Sequence, residues 1–216
     1  MNLLQKLNRK YGKFSVPHLM YIICGGMLVV FAAELLLPQY NIAARLTLNM
    51  VKVYDGEWWR LLTFLFIPPS DSPVWLLFGL YFYALIGDGL ERELGSFCFT
   101  LFYLIGAVSA VLAALITGYG HNTYLNLSLF LAFAMFYPDF RVSIFFFIPV
   151  RIKYLAIVDL VLYVLGLIFG NASVRVTILL SLLNLLIFFG GDAWHNLQKQ
   201  VGYWKTRRNF RKNYRS

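Results

Sequence analysis

Long apolar runs alternate with short polar or charged connectors along this chain, and the runs recur often enough to read as crossings of one bundle. A helix needs about 20 mostly apolar residues to cross roughly 30 Å of hydrocarbon. Six stretches meet or approach that length: residues 18–38, 73–88, 97–117, 123–137, 154–170 and 176–191. The fourth covers about 22 Å at roughly 1.5 Å per residue. That is short for a lipid-facing helix and suits one surrounded by the others. Residues 143–150 are also apolar but follow Pro138 and include Pro149. They are expected at the membrane interface or in a partly buried loop. The expected fold class is all-α, a polytopic six-transmembrane helix bundle. Its parts are a basic amino tail at 1–17, a membrane domain at 18–192 and a basic aromatic tail at 193–216.

Composition supports this reading. Of 216 residues, 60% are hydrophobic and only 13% charged, against about 45–50% and about 25% in soluble domains. Twenty Phe and fourteen Tyr exclude a disordered chain. Cys24 and Cys98 both lie in or beside apolar runs, so no disulfide scaffold is expected. No short apolar segment with a cleavage site sits near residues 1–6, so no removable signal peptide is expected.

Lysine and arginine set the expected orientation. The two tails, the connection between the second and third spans and that between the fourth and fifth carry fifteen of them. The other side carries four: Arg45, Lys52, Arg60 and Arg175. An even number of spans puts both basic tails together, hence both in the cytoplasm, with residues 51–69 outside. The net charge of +9 then needs no nucleic acid. The carboxyl tail mixes Tyr203, Trp204, Phe210 and Tyr214 with seven cations and no acid. Such a segment is expected to lie on anionic headgroups, which makes membrane lipids its expected partner.

Two segments carry motifs. Residues 56–66 read Gly-Glu-Trp-Trp-Arg-Leu-Leu-Thr-Phe-Leu-Phe, with Trp59-Arg60 near the end of the long first external loop. In residues 87–95, Gly87, Glu91 and Gly95 are four apart, so they are expected on one helical face. Small residues at that spacing let backbones approach closely. A carboxylate between them can accept hydrogen bonds from nearby backbone. With these two motifs the chain resembles the rhomboid superfamily of intramembrane serine proteases and their inactive relatives, the derlins and iRhoms. Trp59-Arg60 is similar to the family's W-R, and Gly87, Glu91 and Gly95 are similar to its G-x-x-x-E-x-x-x-G. The resemblance implies a compact bundle whose short fourth helix opens into a water-filled cavity facing outside.

The resemblance also implies a set of catalytic groups, and the chain departs from it. A rhomboid protease carries a serine in G-x-S-G at the outer end of span 4 and a histidine base in span 6. It usually adds an oxyanion-stabilising His and Asn early in span 2. Here the positions matching that His and Asn are Trp75 and Gly79. No G-x-S-G occurs at the start of span 4, where the nucleophile position falls on Thr123 or on Ser128 depending on register. Residues 176–191 contain no histidine, and His195 follows on the cytoplasmic side. Only His121 lies on the outer side, two residues before Thr123. A hydroxyl needs a base within hydrogen-bond reach to act as a nucleophile.

The remaining membrane ionisables are Glu34, Asp159 and Asp192, in different spans and at different depths. Structural partners are expected for them rather than a relay. Gly106, Ala110 and Ala114 form a small-residue stripe expected to serve helix packing. There is no Cys/His set with zinc spacing and no Gly-rich phosphate loop, so neither metal nor cofactor is expected. The expectation is a rhomboid-like membrane protein that lacks catalysis and handles transmembrane segments of other membrane proteins. An active protease with displaced residues is the first alternative. A small transporter using Glu34 and Asp159 is the second.

Overall fold

The computed structural model describes residues 15–144, 148–172, 174–186 and 188. Helix α1 (Leu19–Leu36) ends before Pro38, which opens a 3-10 turn at Pro38–Tyr40. The long connection to the next spanning helix holds the short helices α2 (Ile42–Leu46), α3 (Met50–Tyr54) and α4 (Arg60–Thr63) and a 3-10 turn at Phe64–Phe66. Helix α5 (Pro73–Leu94) starts with proline at its first position, where the missing N–H costs nothing. Helix α6 (Ser96–Thr117) follows after one residue. Then come α7 (Thr123–Phe136), α8 (Ile152–Phe169) and α9, an apolar helix at Val174–Leu186.

Four of these helices, α1, α5, α6 and α8, are long and apolar enough to cross a membrane, while α7 and α9 are shorter. Ile22, Val29 and Leu36 of α1, and Ile157, Val161 and Leu165 of α8, are exposed. Each set recurs on one helical face, and a contiguous apolar surface of this kind needs a lipid environment. The protein is an integral membrane protein with several apolar helices.

Burial sorts the helices into layers. Nine of the fourteen residues of α7 are buried, against three of the eighteen in α8. The short helix is thus the inner one, packed against α5, α6 and α8. Small residues let it sit there: Gly106 of α6 touches Leu125 of α7, so a methyl group at 106 would overlap that leucine.

Two short strand pairs depart from the purely helical expectation. Strand β1 (Leu48–Asn49) pairs antiparallel with β2 (Tyr119–Gly120) and ties the α1–α5 connection to the α6–α7 turn. Gly118, at φ 87°, ends α6 and turns the chain into β2, a conformation that suits glycine. Strand β3 (Arg141–Ile144) pairs with β4 (Ile148–Arg151). The apolar stretch expected as an interfacial loop thus belongs to a two-stranded ribbon. Backbone groups between two helices must find partners, and here each strand supplies the other's. Asp192, His195 and the carboxyl tail lie outside the described residues, as does the amino tail up to residue 14.

Candidate functional site

At the end of the bundle that holds the long connection, Arg60 opens α4 and is only 6% exposed. Its Nη1 donates to the carbonyls of Ala44 (3.1 Å) and Thr47 (2.9 Å), and its Nε donates to the Glu57 carboxylate. Thr63, at the other end of α4, donates to the Leu46 carbonyl at 3.2 Å. One guanidinium therefore collects the end of α2, the residue after it and the turn before α4. Trp58 and Trp59 are both more than half exposed, at 65% and 55%, so the tying falls to Arg60 rather than to the indoles beside it.

At the opposite end, Gly87 lies against Met20 of α1, and an added methyl group there would overlap the Met20 side chain. Glu91 accepts the backbone N–H of His18 with both carboxylate oxygens (3.2 and 3.1 Å) and the hydroxyl of Ser96 at 2.6 Å. His18 is the residue before α1, sits at φ 55° and has no side-chain cap of its own. Ser96 is the first residue of α6. The carboxylate thus stands at two helix N-termini, where unpaired N–H groups favour a negative charge. Gly95 does not share the helical face of Gly87 and Glu91. It is the single joint between α5 and α6, at φ 80°, where a side chain is strained. Glu91 is half-buried and lines an open cavity of about 590 Å³ with His18, Tyr21 and Asp88. Water can therefore reach the groups it leaves. Glu91→Ala is expected to lower stability by about 1 kcal/mol, the net worth of a partly solvated set of hydrogen bonds. Glu91→Gln should cost less, because an acceptor remains. Thermal unfolding in detergent measures both, and equal stability of Glu91→Ala and wild type would remove the capping role.

The crevice where the start of α7 meets α6 and α9 is lined by His121, Tyr124, Ser128, Thr177 and Ser181, and holds about 10 Å³, room for about one water molecule. Ser128 is buried, and its hydroxyl donates back to the Leu125 carbonyl at 2.7 Å, a bond that serine commonly makes inside helices. Ser181 donates to the Tyr124 carbonyl at 2.8 Å, and the Tyr163 hydroxyl reaches the same carbonyl at 3.3 Å and Ser181 at 3.2 Å. Helix α9 therefore meets α7 through a serine. His121 and Thr123 are exposed, and Thr123 does not line the crevice. The structure brings His121 and Ser128 to one crevice and leaves Thr123 outside it. Trp75 is exposed and edge-on to Phe78, and Gly79 packs on Pro69.

Several contacts have no signal in the sequence. Asn122 is buried, donates to the Ile67 carbonyl at 2.9 Å and fixes the start of α7 to the long connection. Asn184 of α9 donates to the Phe102 carbonyl at 3.3 Å beside Gly106. An asparagine before a helix signals a cap, but nothing local signals these distant acceptors. Glu34 accepts the Ala43 N–H at 2.9 Å, so it has a structural partner. Asp159, 4% exposed, has neither carboxylate oxygen hydrogen-bonded among the described residues. No group of three or more His, Cys, Asp or Glu suited to a metal occurs among them.

These features define a polytopic membrane-helix bundle in which a short inner helix meets a polar crevice at one end. The Rhomboid domain model matches residues 55–179, from the long connection through α5, α6, α7 and α8 into α9. The protein belongs to the rhomboid family. No curated protein matches the chain.

Proposed function

We propose that this rhomboid-family protein is catalytically inactive and handles transmembrane segments of other membrane proteins. The observation that carries the reading is the hydrogen bonding of the α7–α9 crevice. The Ser128 hydroxyl donates to its own helix, and the α9 groups that line the crevice are the hydroxyls of Thr177 and Ser181, of which Ser181 donates to the Tyr124 carbonyl. A serine nucleophile needs a base able to take its proton, and 174–191 holds no histidine. The short buried α7 and the exposed Trp58 and Trp59 support what remains: a bundle that deforms the bilayer locally and meets a neighbouring helix in the membrane. The lysine and arginine distribution supports an orientation with both tails in the cytoplasm and the Arg60 end outside.

The purified protein is expected to take no label from a fluorophosphonate serine probe and to leave transmembrane rhomboid substrates intact. The alternative, an active protease with displaced residues, is favoured by one observation: His121 and Ser128 line the same crevice. It predicts labelling that disappears in Ser128→Ala and in His121→Ala. That result would overturn the inactive reading.

A further inference from the structure

The corner where α7 gives way to the β3–β4 ribbon and α8 holds more positive charge than the protein compensates. Arg141 and Arg151 are cross-strand partners in the ribbon, and like charges directly opposite each other repel. Asp139 accepts from both Arg151 (Nη1, 3.2 Å) and Lys153 (Nζ, 2.9 Å). The lysine bond foremost, then the cationic field, lowers the Asp139 pKa below its usual value. Arg141 makes no side-chain hydrogen bond or ion pair among the described residues and is exposed. Glu93, the carboxylate beside Tyr137, is occupied by the Tyr137 hydroxyl at 2.7 Å. Two cations thus share one carboxylate, and Arg141 beside them has none among the described residues.

The corner is also held in place. The Ile152 N–H donates to the Phe140 carbonyl at 2.9 Å, and the Lys153 N–H to the Pro138 carbonyl at 3.1 Å. These bonds clamp the first turn of α8 to the loop that carries Asp139. Around the cations lie exposed aromatics: Phe140, and Tyr154 with the Lys153 ammonium 5.7 Å from its ring centre. Aromatic and cationic side chains together at the end of spanning helices mark the headgroup level of a bilayer.

We propose that Arg141, Arg151 and Lys153 form a site for the headgroup of an anionic phospholipid. The lipid phosphate would supply the counter-charge that the paired arginines lack, and guanidinium groups suit its oxygens. Phe140 and Tyr154 would lie along the glycerol and upper acyl chain. A zwitterionic lipid fits less well, because its ammonium group would meet the same cations. This site is independent of whether the α7–α9 crevice is catalytic.

The test uses the full-length protein in a neutral detergent. Native mass spectrometry and thermal unfolding are followed as dioleoyl phosphatidylglycerol, dioleoyl phosphatidylcholine or inorganic phosphate is added. Phosphatidylglycerol is expected to stay bound and to raise the unfolding temperature, whereas the other two should do neither. Arg141→Gln should weaken phosphatidylglycerol binding about fivefold, the effect of one cation at a membrane surface, and Arg141→Lys should largely restore it. Because Arg141→Gln also relieves the repulsion with Arg151, it should leave the lipid-free protein as stable as wild type or more so. A merely structural role predicts the opposite sign. When Lys205, Arg207 and Arg208 of the carboxyl tail are neutralised, Arg141→Gln should still weaken binding by the same factor. The proposal is overturned if Arg141→Gln binds phosphatidylglycerol like wild type, or if phosphatidylcholine binds equally. It is also overturned if phosphate alone reproduces the full shift, or if the Arg141 effect disappears with the tail cations.

Discussion

Arg60→Ala should lower the stability of the protein by about 3 kcal/mol, the cost of leaving buried acceptors short of donors. The side chain is nearly buried and holds the Ala44 and Thr47 carbonyls and the Glu57 carboxylate at once. Alanine would take the guanidinium from the Thr47 carbonyl, leave the Ala44 carbonyl to the Thr47 hydroxyl, and leave Glu57 without its cation. Arg60→Lys should recover only part of the loss. An ammonium carries three donors but lacks the flat fork that reaches two carbonyls and a carboxylate in different directions. Chemical or thermal unfolding in detergent gives the difference directly. Equal stability of Arg60→Ala and wild type would show that the connection between α1 and α5 is held by other contacts.

Gly87→Leu should be at least as damaging, by about 3 kcal/mol, because overpacking a close helix contact forces the backbones apart. No space exists at residue 87: the Met20 side chain occupies the place of a Cβ. Separating α1 from α5 there would also pull the His18 N–H from Glu91, one turn along. Gly25→Leu is the control. Gly25 lies in α1, one of the same two packed helices, but nothing stands within 4 Å of a Cβ at that position. That variant should unfold like wild type or slightly later, since glycine costs about 1 kcal/mol inside a helix. Equal losses in the two variants would show that the close contact with Met20 is not the cause.

Some of these features are legible in the sequence alone. Runs of apolar residues carry their own length, so five of the helices lie close to the residues expected, and the shortness of α7 pointed to its inner place. Helix α5 runs six residues past its expected end because Leu90 and Leu94, both buried, continue its apolar face through the charged segment. Gly87 and Arg60 were legible through their motifs. The partners of Glu91 were not: the His18 N–H is 73 residues away in sequence, and local spacing holds no trace of it. The equal spacing of Gly87, Glu91 and Gly95 suggested one face, but α5 ends at Leu94, so Gly95 became a joint.

The sequence by itself determined which stretches are apolar enough for a membrane, where the chain must turn, and that α9 has no histidine to offer. Those properties are local: they depend on side-chain type and on the repeat of the helix. Only the tertiary structure decided which donor meets which acceptor. It set Ser181 against the start of α7, brought Arg60 to its two carbonyls, and laid residues 141 and 151 side by side in a ribbon. Such pairings follow from how helices stack and how loops close over them, and in a low-dielectric interior an unmet polar group is costly enough to make each one count.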